Sequence, residues 1–308
     1  MSLTRENQLA RPVLGAKGFD PRTMQVAIIA GNGSMPGEIR AAMQAQGLSP
    51  VLVGVRGEVE AELAKSCDKV FSYGQLGSLF ELLEKHNIRH LVFAGGIVKR
   101  PDFGALKPDM VTLRELPALL KITLGGDDSV LGKIAAFMGK RGVEVVGVRD
   151  VAPVLLAEQG HIAGPPLRGR MQKRLSESLR LAWNGARTVG SLDAGQGCIV
   201  EDGRVVALEG AEGTDAMIRR LGELRKEKRL NPNPDWSILA KVTKPDQDMR
   251  ADLPAIGPGT IRAAHEAGLN YVAVEAESSV VLARSKLMEL ASRYGIRVSG
   301  FTDESLPQ

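Results

Sequence analysis

Between residues 25 and 146 one pattern repeats, a short apolar run followed by a longer stretch with helical spacing, and few folds accept it. The apolar runs fall at 25–30, 50–55, 69–72, 90–94 and 143–146, with helical patterns at 38–45, 76–86, 112–124 and 129–140. A strand that is apolar on both faces must be covered on both. Strands alternating with helices therefore predict a parallel, Rossmann-like sheet over residues 24–152. Pro153, Gly160, Gly164, Pro165 and Pro166 mark residues 153–166 as a linker. Residues 1–23 lack an apolar core segment and read as a disordered leader or an expression remnant, with Met24 a natural start.

The second half, residues 167–308, reads as a smaller mixed α/β domain. A helix is expected from about 168 to 183, then two short strands around Asp202-Gly203, a dipeptide that favours a type I′ hairpin turn. Further helices are expected at 214–226, 260–267 and 282–293, and strands at 238–242, 271–275 and near Arg297. The fold class is thus α/β throughout, in two domains.

Bulk properties remove several function classes. The net charge of +4 is half accounted for by the first 23 residues, which argues against nucleic acid as the main partner. No apolar run approaches the roughly 20 residues needed to span a bilayer. Cys67 and Cys198 form no CxxC pair and predict free thiols in a reducing compartment. The four histidines are scattered without zinc spacing. No serine or cysteine sits in a nucleophile-elbow context.

The densest chemistry lies in Lys244-Pro245-Asp246-Gln247-Asp248-Met249-Arg250-Ala251-Asp252-Leu253-Pro254. Prolines stiffen this loop, carboxylates suit a hard cation, and Lys and Arg suit phosphate oxygens. Such loops also serve as plain turns with salt bridges. Gly31-Asn32-Gly33-Ser34 follows the first strand and precedes a helix, so it either presents amides to an anion or makes a tight turn. It is neither a full dinucleotide fingerprint nor a Walker loop. Lys99 and Arg100 follow a double glycine at the end of the fourth strand, as pyrophosphate contacts or a solvated basic loop. Asp127 and Asp128 precede a helix, where one carboxylate suffices for capping and the second suggests ligand contact. Glu212, Thr214 and Asp215, with Asp248 and Asp252, make an acidic set large enough for magnesium.

These segments, together with Leu192-Asp193-Ala194-Gly195-Gln196 and Glu212-Gly213-Thr214-Asp215-Ala216-Met217, resemble the cytosolic UDP-2,3-diacylglucosamine pyrophosphatases of the LpxI type. They run in the family order from residue 25 to near the C-terminus, and Asn32 departs from an expected glycine. The resemblance implies Mg²⁺-dependent cleavage of UDP-2,3-diacylglucosamine to UMP and 2,3-diacylglucosamine 1-phosphate (lipid X) in lipid A synthesis, with water attacking the sugar-side phosphorus. It also implies two domains with a substrate chamber between them, and places the essential acid at Asp248. On this reading Asp248, Asp252, Arg250 and Lys244 are catalytic, and Asp248, Asp252 and Asp215 face the metal. Gly31, Asn32, Gly33, Ser34, Lys99, Arg100, Asp127, Asp128, Gln196, Glu212, Gly213, Thr214 and Gln247 contact substrate. The expected setting is cytoplasmic, with transient contact at the inner-membrane surface. Two rivals stand beside it, an NAD(P)-linked oxidoreductase and a non-catalytic nucleotide-sugar-binding regulator.

Overall fold

A computed structural model describes residues 19–97, 107–123, 127–167, 173–245, 247–250 and 253–307. The chain divides into two compact units that meet in sequence at Val154 and Leu155.

The N-terminal unit runs β1 (Val26–Ala30), α1 (Met35–Gln44), β2 (Val51–Val55), α2 (Ala61–Ala64), β3 (Lys69–Phe71), α3 (Leu76–Lys85), β4 (His90–Ala94), α4 (Met110–Thr123), α5 (Asp127–Gly139), β5 (Glu144–Val145) and α6 (Val148–Val151). Its five strands stand in the order β3-β2-β1-β4-β5 and every neighbouring pair is parallel. One face packs Ala27, Leu91 and Val145 against Leu83 of α3 and Ala135 and Met138 of α5. On α1, Ile39 and Met43 are buried, and this helix contacts β1, β4 and α6. The double coverage explains why these strands carry no polar alternation.

A 3-10 turn (Pro153–Leu155) spans the boundary, and the C-terminal unit runs on through β6 (Gly160–Ala163), α7 (Lys173–Ser191), β7 (Gly197–Glu201), β8 (Arg204–Leu208), α8 (Thr214–Lys226) and β9 (Ser237–Lys241). It continues with β10 (Ala255–Ile256), α9 (Pro258–Ala267), β11 (Tyr271–Glu275), β12 (Val280–Val281), α10 (Arg284–Tyr294) and β13 (Arg297–Phe301). The main sheet has the order β6-β13-β11-β9-β7-β8, so the domain expected to be smaller carries the larger sheet. Strands β9, β11 and β13 are mutually parallel, and β6 and the β7–β8 hairpin add antiparallel edges. A separate parallel pair joins β10 to β12. The hairpin turn is type I′ as expected, with φ of +44° at Asp202 and +83° at Gly203.

Helix α7 covers one face of this sheet with Leu175, Leu179, Ala182, Trp183 and Ala186, spaced as one helical stripe. Helices α8, α9 and α10 cover the other, through Met217, Ile218, Leu221, Ile261, Ala264, Leu287 and Leu290. Two sequence expectations are corrected here. Residues 160–163, inside the stretch read as linker, are strand β6, because their ladder partner β13 lies more than 130 residues away and leaves no local pattern. Helix α7 continues past Trp183 to Ser191, because burial of Ala186 and Val189 overrides the weak helix propensity of Gly185, Thr188 and Val189.

Leu179 is fully buried under this stripe. Leu179→Ala should cost about 2–5 kcal/mol of unfolding free energy, read as a lower urea midpoint at unchanged m. Met288→Ala, on the exposed side of α10, should shift it by no more than about 0.5 kcal/mol.

Candidate active site

In the N-terminal unit, β1 and β4 are central neighbours whose connections leave in opposite directions, the switch point where open α/β sheets bind ligands. The loops that follow them are zipped together. Gly31 N–H donates to Ala94 O (2.8 Å), Asn32 N–H to Gly96 O (2.8 Å), and Gly96 N–H back to Asn32 O (3.0 Å). Side chains are excluded at this crossing. A Cβ on Gly31 would stand 2.4 Å from Gly96 O, and one on Gly95 (φ +84°) 2.3 Å from Asn32 O. The amides of Gly31 and Asn32 are thus already committed, and the donors left for an anion begin at Gly33 (φ +93°) and in the first turn of α1. Ser34 Oγ donates to Glu38 Oε1 (2.8 Å) instead of capping the helix. Lys99, Arg100 and the side chains of Asp127 and Asp128 lie outside the described residues.

In the C-terminal unit, three loops gather at the edge formed by the carboxyl ends of β8, β9, β11 and β13 and the start of β7. Antiparallel pairing of Gly197 with Lys241 brings the loop before β7 beside the loop after β9. Val242 N–H donates to Gln196 O (3.0 Å), and Lys244 Nζ sits 2.7 Å from Asp193 Oδ1. Asp193 adopts a left-handed conformation (φ +54°), which aspartate tolerates better than most residues. Next, Lys244 N–H donates to Gln247 Oε1 (3.0 Å) and Gln247 N–H to Lys244 O (3.3 Å), a closed turn that buries Gln247. Asp248 follows at once.

The Asp248 carboxylate accepts from Arg250 Nε (2.9 Å), Nη2 (2.6 Å) and the Arg250 amide (3.1 Å). These hydrogen bonds from Arg250 hold its carboxyl below the usual carboxylate range, against the opposing effect of burial. Asp248 is therefore ionised at neutral pH. The third loop, 209–213, leads into α8. Thr214 Oγ1 donates to Glu209 Oε1 (3.0 Å), Glu212 lies 3.5 Å from Arg220, and Gly213 (φ +80°) takes the cap position. Asp215 is exposed in the first turn of α8.

The structure thus brings Gln196, Lys244, Gln247, Asp248 and Arg250 into one neighbourhood. Glu209, hydrogen-bonded through its amide to Gly197 O (3.0 Å), attaches Thr214, Gly213 and Glu212 to it. Asp252 lies outside the described residues. Among the described residues no three His, Cys, Asp or Glu side chains converge to hold a metal ion. Two buried acceptors in this region have no hydrogen-bond partner among them, Gln196 Oε1 and Glu209 Oε2.

Sequence reasoning did not single out Arg187, Thr243, Glu275 or Lys241. Lys241 is buried at the end of β9 and donates to Ala255 O (3.1 Å), closing the ends of the proline loop on each other. Its signal was available: a lone lysine at the end of an otherwise apolar strand. Glu275 and Arg187 lie in a strand and a helix with no motif around them.

Gly197→Ala tests the packing of Glu209. The added methyl would stand 2.5 Å from Glu209 Oε2 and 3.1 Å from Met217 Cε. It should cost about 1–3 kcal/mol of stability in a denaturant titration, and it should speed hydrogen exchange at the start of α8.

Comparison with known proteins identifies the architecture. The family models for the LpxI N-terminal domain and the LpxI C-terminal domain match residues 25–155 and 163–299. UDP-2,3-diacylglucosamine pyrophosphatase LpxI of Caulobacter vibrioides is 32% identical over 283 residues, covering 92% of this chain and 99% of that protein. Both halves match in the same order and almost the whole of the relative is represented, so this chain belongs to the LpxI family.

Proposed function

We propose that the protein hydrolyses the diphosphate of UDP-2,3-diacylglucosamine, releasing UMP and 2,3-diacylglucosamine 1-phosphate for lipid A synthesis. The observation that carries this reading is the near-complete coverage of a relative bearing that name, with Lys244, Gln247, Asp248 and Arg250 of this chain joined by hydrogen bonds after β9.

Water adds to the sugar-side phosphorus, and the bond from that phosphorus to the oxygen it shares with UMP breaks. The water's proton passes to Asp248, which orients the attacking oxygen. UMP leaves carrying the bridging oxygen. Lys244 and Arg250 neutralise charge on the phosphoryl oxygens as it develops. In the structure both cations rest on aspartates, Lys244 on Asp193 and Arg250 on Asp248. An incoming diphosphate competes for them, and transfer of Arg250 onto phosphate frees Asp248 for water. Mg²⁺ supplies further charge neutralisation when bound. The described side chains do not by themselves form its site; of the carboxylates proposed to hold it, Asp248 lies in the loop after β9 and Asp215 is exposed in the first turn of α8. Gly33, Ser34, Lys99, Arg100, Asp127 and Asp128 are proposed to contact the nucleotide or pyrophosphate.

Among the described residues no helix is long and apolar enough to cross a membrane. We place the enzyme in the cytoplasm with transient contact at the membrane surface. The exposed Met110, Leu113 and Leu120 on α4 support that contact. The oxidoreductase alternative has less support, because the Gly31 and Asn32 amides are engaged and Arg56 follows β2 where a ribose-binding acid is needed.

Release of UMP from UDP-2,3-diacylglucosamine by the purified protein tests the reading. Asp248→Ala should lower kcat by roughly 10²–10⁴-fold with the fold retained by circular dichroism; full activity in that variant would sink the assignment. Hydrolysis in ¹⁸O-water should label the diacylglucosamine phosphate and leave UMP unlabelled. Chelation of Mg²⁺ should stop the reaction and its return restore it. The acid limb of the rate profile reports ionisation of Asp248, and Arg250 holds that carboxyl low. Arg250→Gln should therefore move this limb to higher pH as well as reduce kcat; an unmoved limb would show that the pair does not tune the active carboxylate.

A further inference from the structure

The loop that carries Asp248 is fixed at its root by groups outside every motif. Thr243 is the second residue after β9 and immediately precedes Lys244. Its amide donates to Glu275 Oε2 (2.8 Å), and its hydroxyl donates to the same oxygen (2.6 Å). Its carbonyl accepts from Arg187 Nη1 (3.2 Å). Arg187 Nη2 in turn donates to Glu275 Oε1 (2.9 Å) and to the Asp303 carboxylate (3.1 Å). Trp183 Nε1 donates to Asp303 Oδ1 (2.7 Å), and the Arg187 guanidinium lies 5.8 Å from the Trp183 ring centre. Two elements thus grip Thr243 directly, α7 through Arg187 and β11 through Glu275, while the segment after β13 holds Arg187 through Asp303. The side chains of Arg187 and Glu275 are 28% and 15% exposed, so this is no loose surface pair.

From Thr243 the restraint passes along the chain. Lys244 and Gln247 close their turn, buried Gln247 directly precedes Asp248, and Lys244 reaches Asp193. A carboxylate that must orient water needs its backbone held to within a fraction of an ångström. We propose that Glu275 and Arg187 are positioning residues for the Asp248 loop, acting through Thr243, and that they touch neither substrate nor the reacting atoms. The proposal rests on the hydrolase reading for its kinetic consequence, but its structural consequence stands apart from it.

The test uses the full chain in three variants, Glu275→Gln, Thr243→Val and Ser237→Ala. Ser237→Ala is the control: it removes a buried hydroxyl that donates to Glu201 (2.7 Å) at the opposite end of the same strand. Glu275→Gln should reduce kcat roughly 10–100-fold, the range found when groups supporting an active site are removed. Its KM should stay within about threefold of wild type. Thr243→Val, nearly isosteric, should show a smaller loss of the same kind, and Ser237→Ala should keep wild-type kcat. Hydrogen exchange gives the second readout. The amides of Thr243, Lys244 and Gln247 should exchange at least about tenfold faster in Glu275→Gln and unchanged in Ser237→Ala. Wild-type exchange at those amides in folded Glu275→Gln, or in Thr243→Val where the former does not fold, overturns the proposal. Faster exchange with unchanged kcat overturns it equally. A wild-type protein that releases no UMP would defeat the hydrolase reading alone, and exchange would still decide the clamp.

Discussion

Strand β9 is the constraint on which the C-terminal unit depends. All five residues, Ser237–Lys241, are buried, and the strand is paired with β11 on one side and β7 on the other. It cannot slip in register without moving both neighbours and exposing the cores on its two faces. Whatever follows Lys241 is therefore delivered to a fixed point, and the proline loop starts there. The neighbouring strand ends place Gln196, Glu209 and Glu275 around that point, since sheet pairing brings residues remote in sequence to one level. Ligand chemistry at the carboxyl ends of parallel strands follows, because there the backbone stops pairing and its polar groups turn outward.

Charge at this edge is arranged in pairs that a substrate can exchange. Lys244 rests on Asp193 and Arg250 on Asp248, and both pairs are partly exposed. In each pair one partner is about half exposed, Asp193 in the first and Arg250 in the second, so an incoming diphosphate can reach the pair and compete for its cation. By contrast, Glu275 and Arg187 form a pair that also holds backbone and is less open to water. The two kinds of ion pair suit different duties: one is available for replacement, while the other fixes the frame in which replacement occurs. Glu201 and Arg225, paired at the opposite end of the sheet, also bind Ser237 and the carbonyls of Ala267 and Asn231, and so hold backbone far from the proline loop.

The order of elements was largely readable because each depends on local periodicity. Strands β4 and β11 and helix α8 fall where their patterns place them, and the Asp202-Gly203 turn follows from its dipeptide. Strand β6 was unreadable, since four residues between glycines and prolines carry no alternation of their own and are stabilised only by β13. For the site, loop chemistry announced Lys244, Gln247, Asp248 and Arg250 by density of charge. It also suggested amides at Gly31 and Asn32 that the structure shows engaged with the loop after β4. Sequence shows that a glycine turn is present, but not which of its donors remain open.

The sequence by itself determined the alternation of strands and helices, the stiff acidic loop and the family to which the chain belongs, for these depend on residue types at short spacing. Only the tertiary structure decided which carboxylate meets which cation and that Glu275, Arg187 and Thr243 meet at the root of that loop. Hydrogen bonds form between groups that packing brings within about 3 Å. Arg187 and Glu275 are 88 residues apart, and no local pattern encodes their meeting.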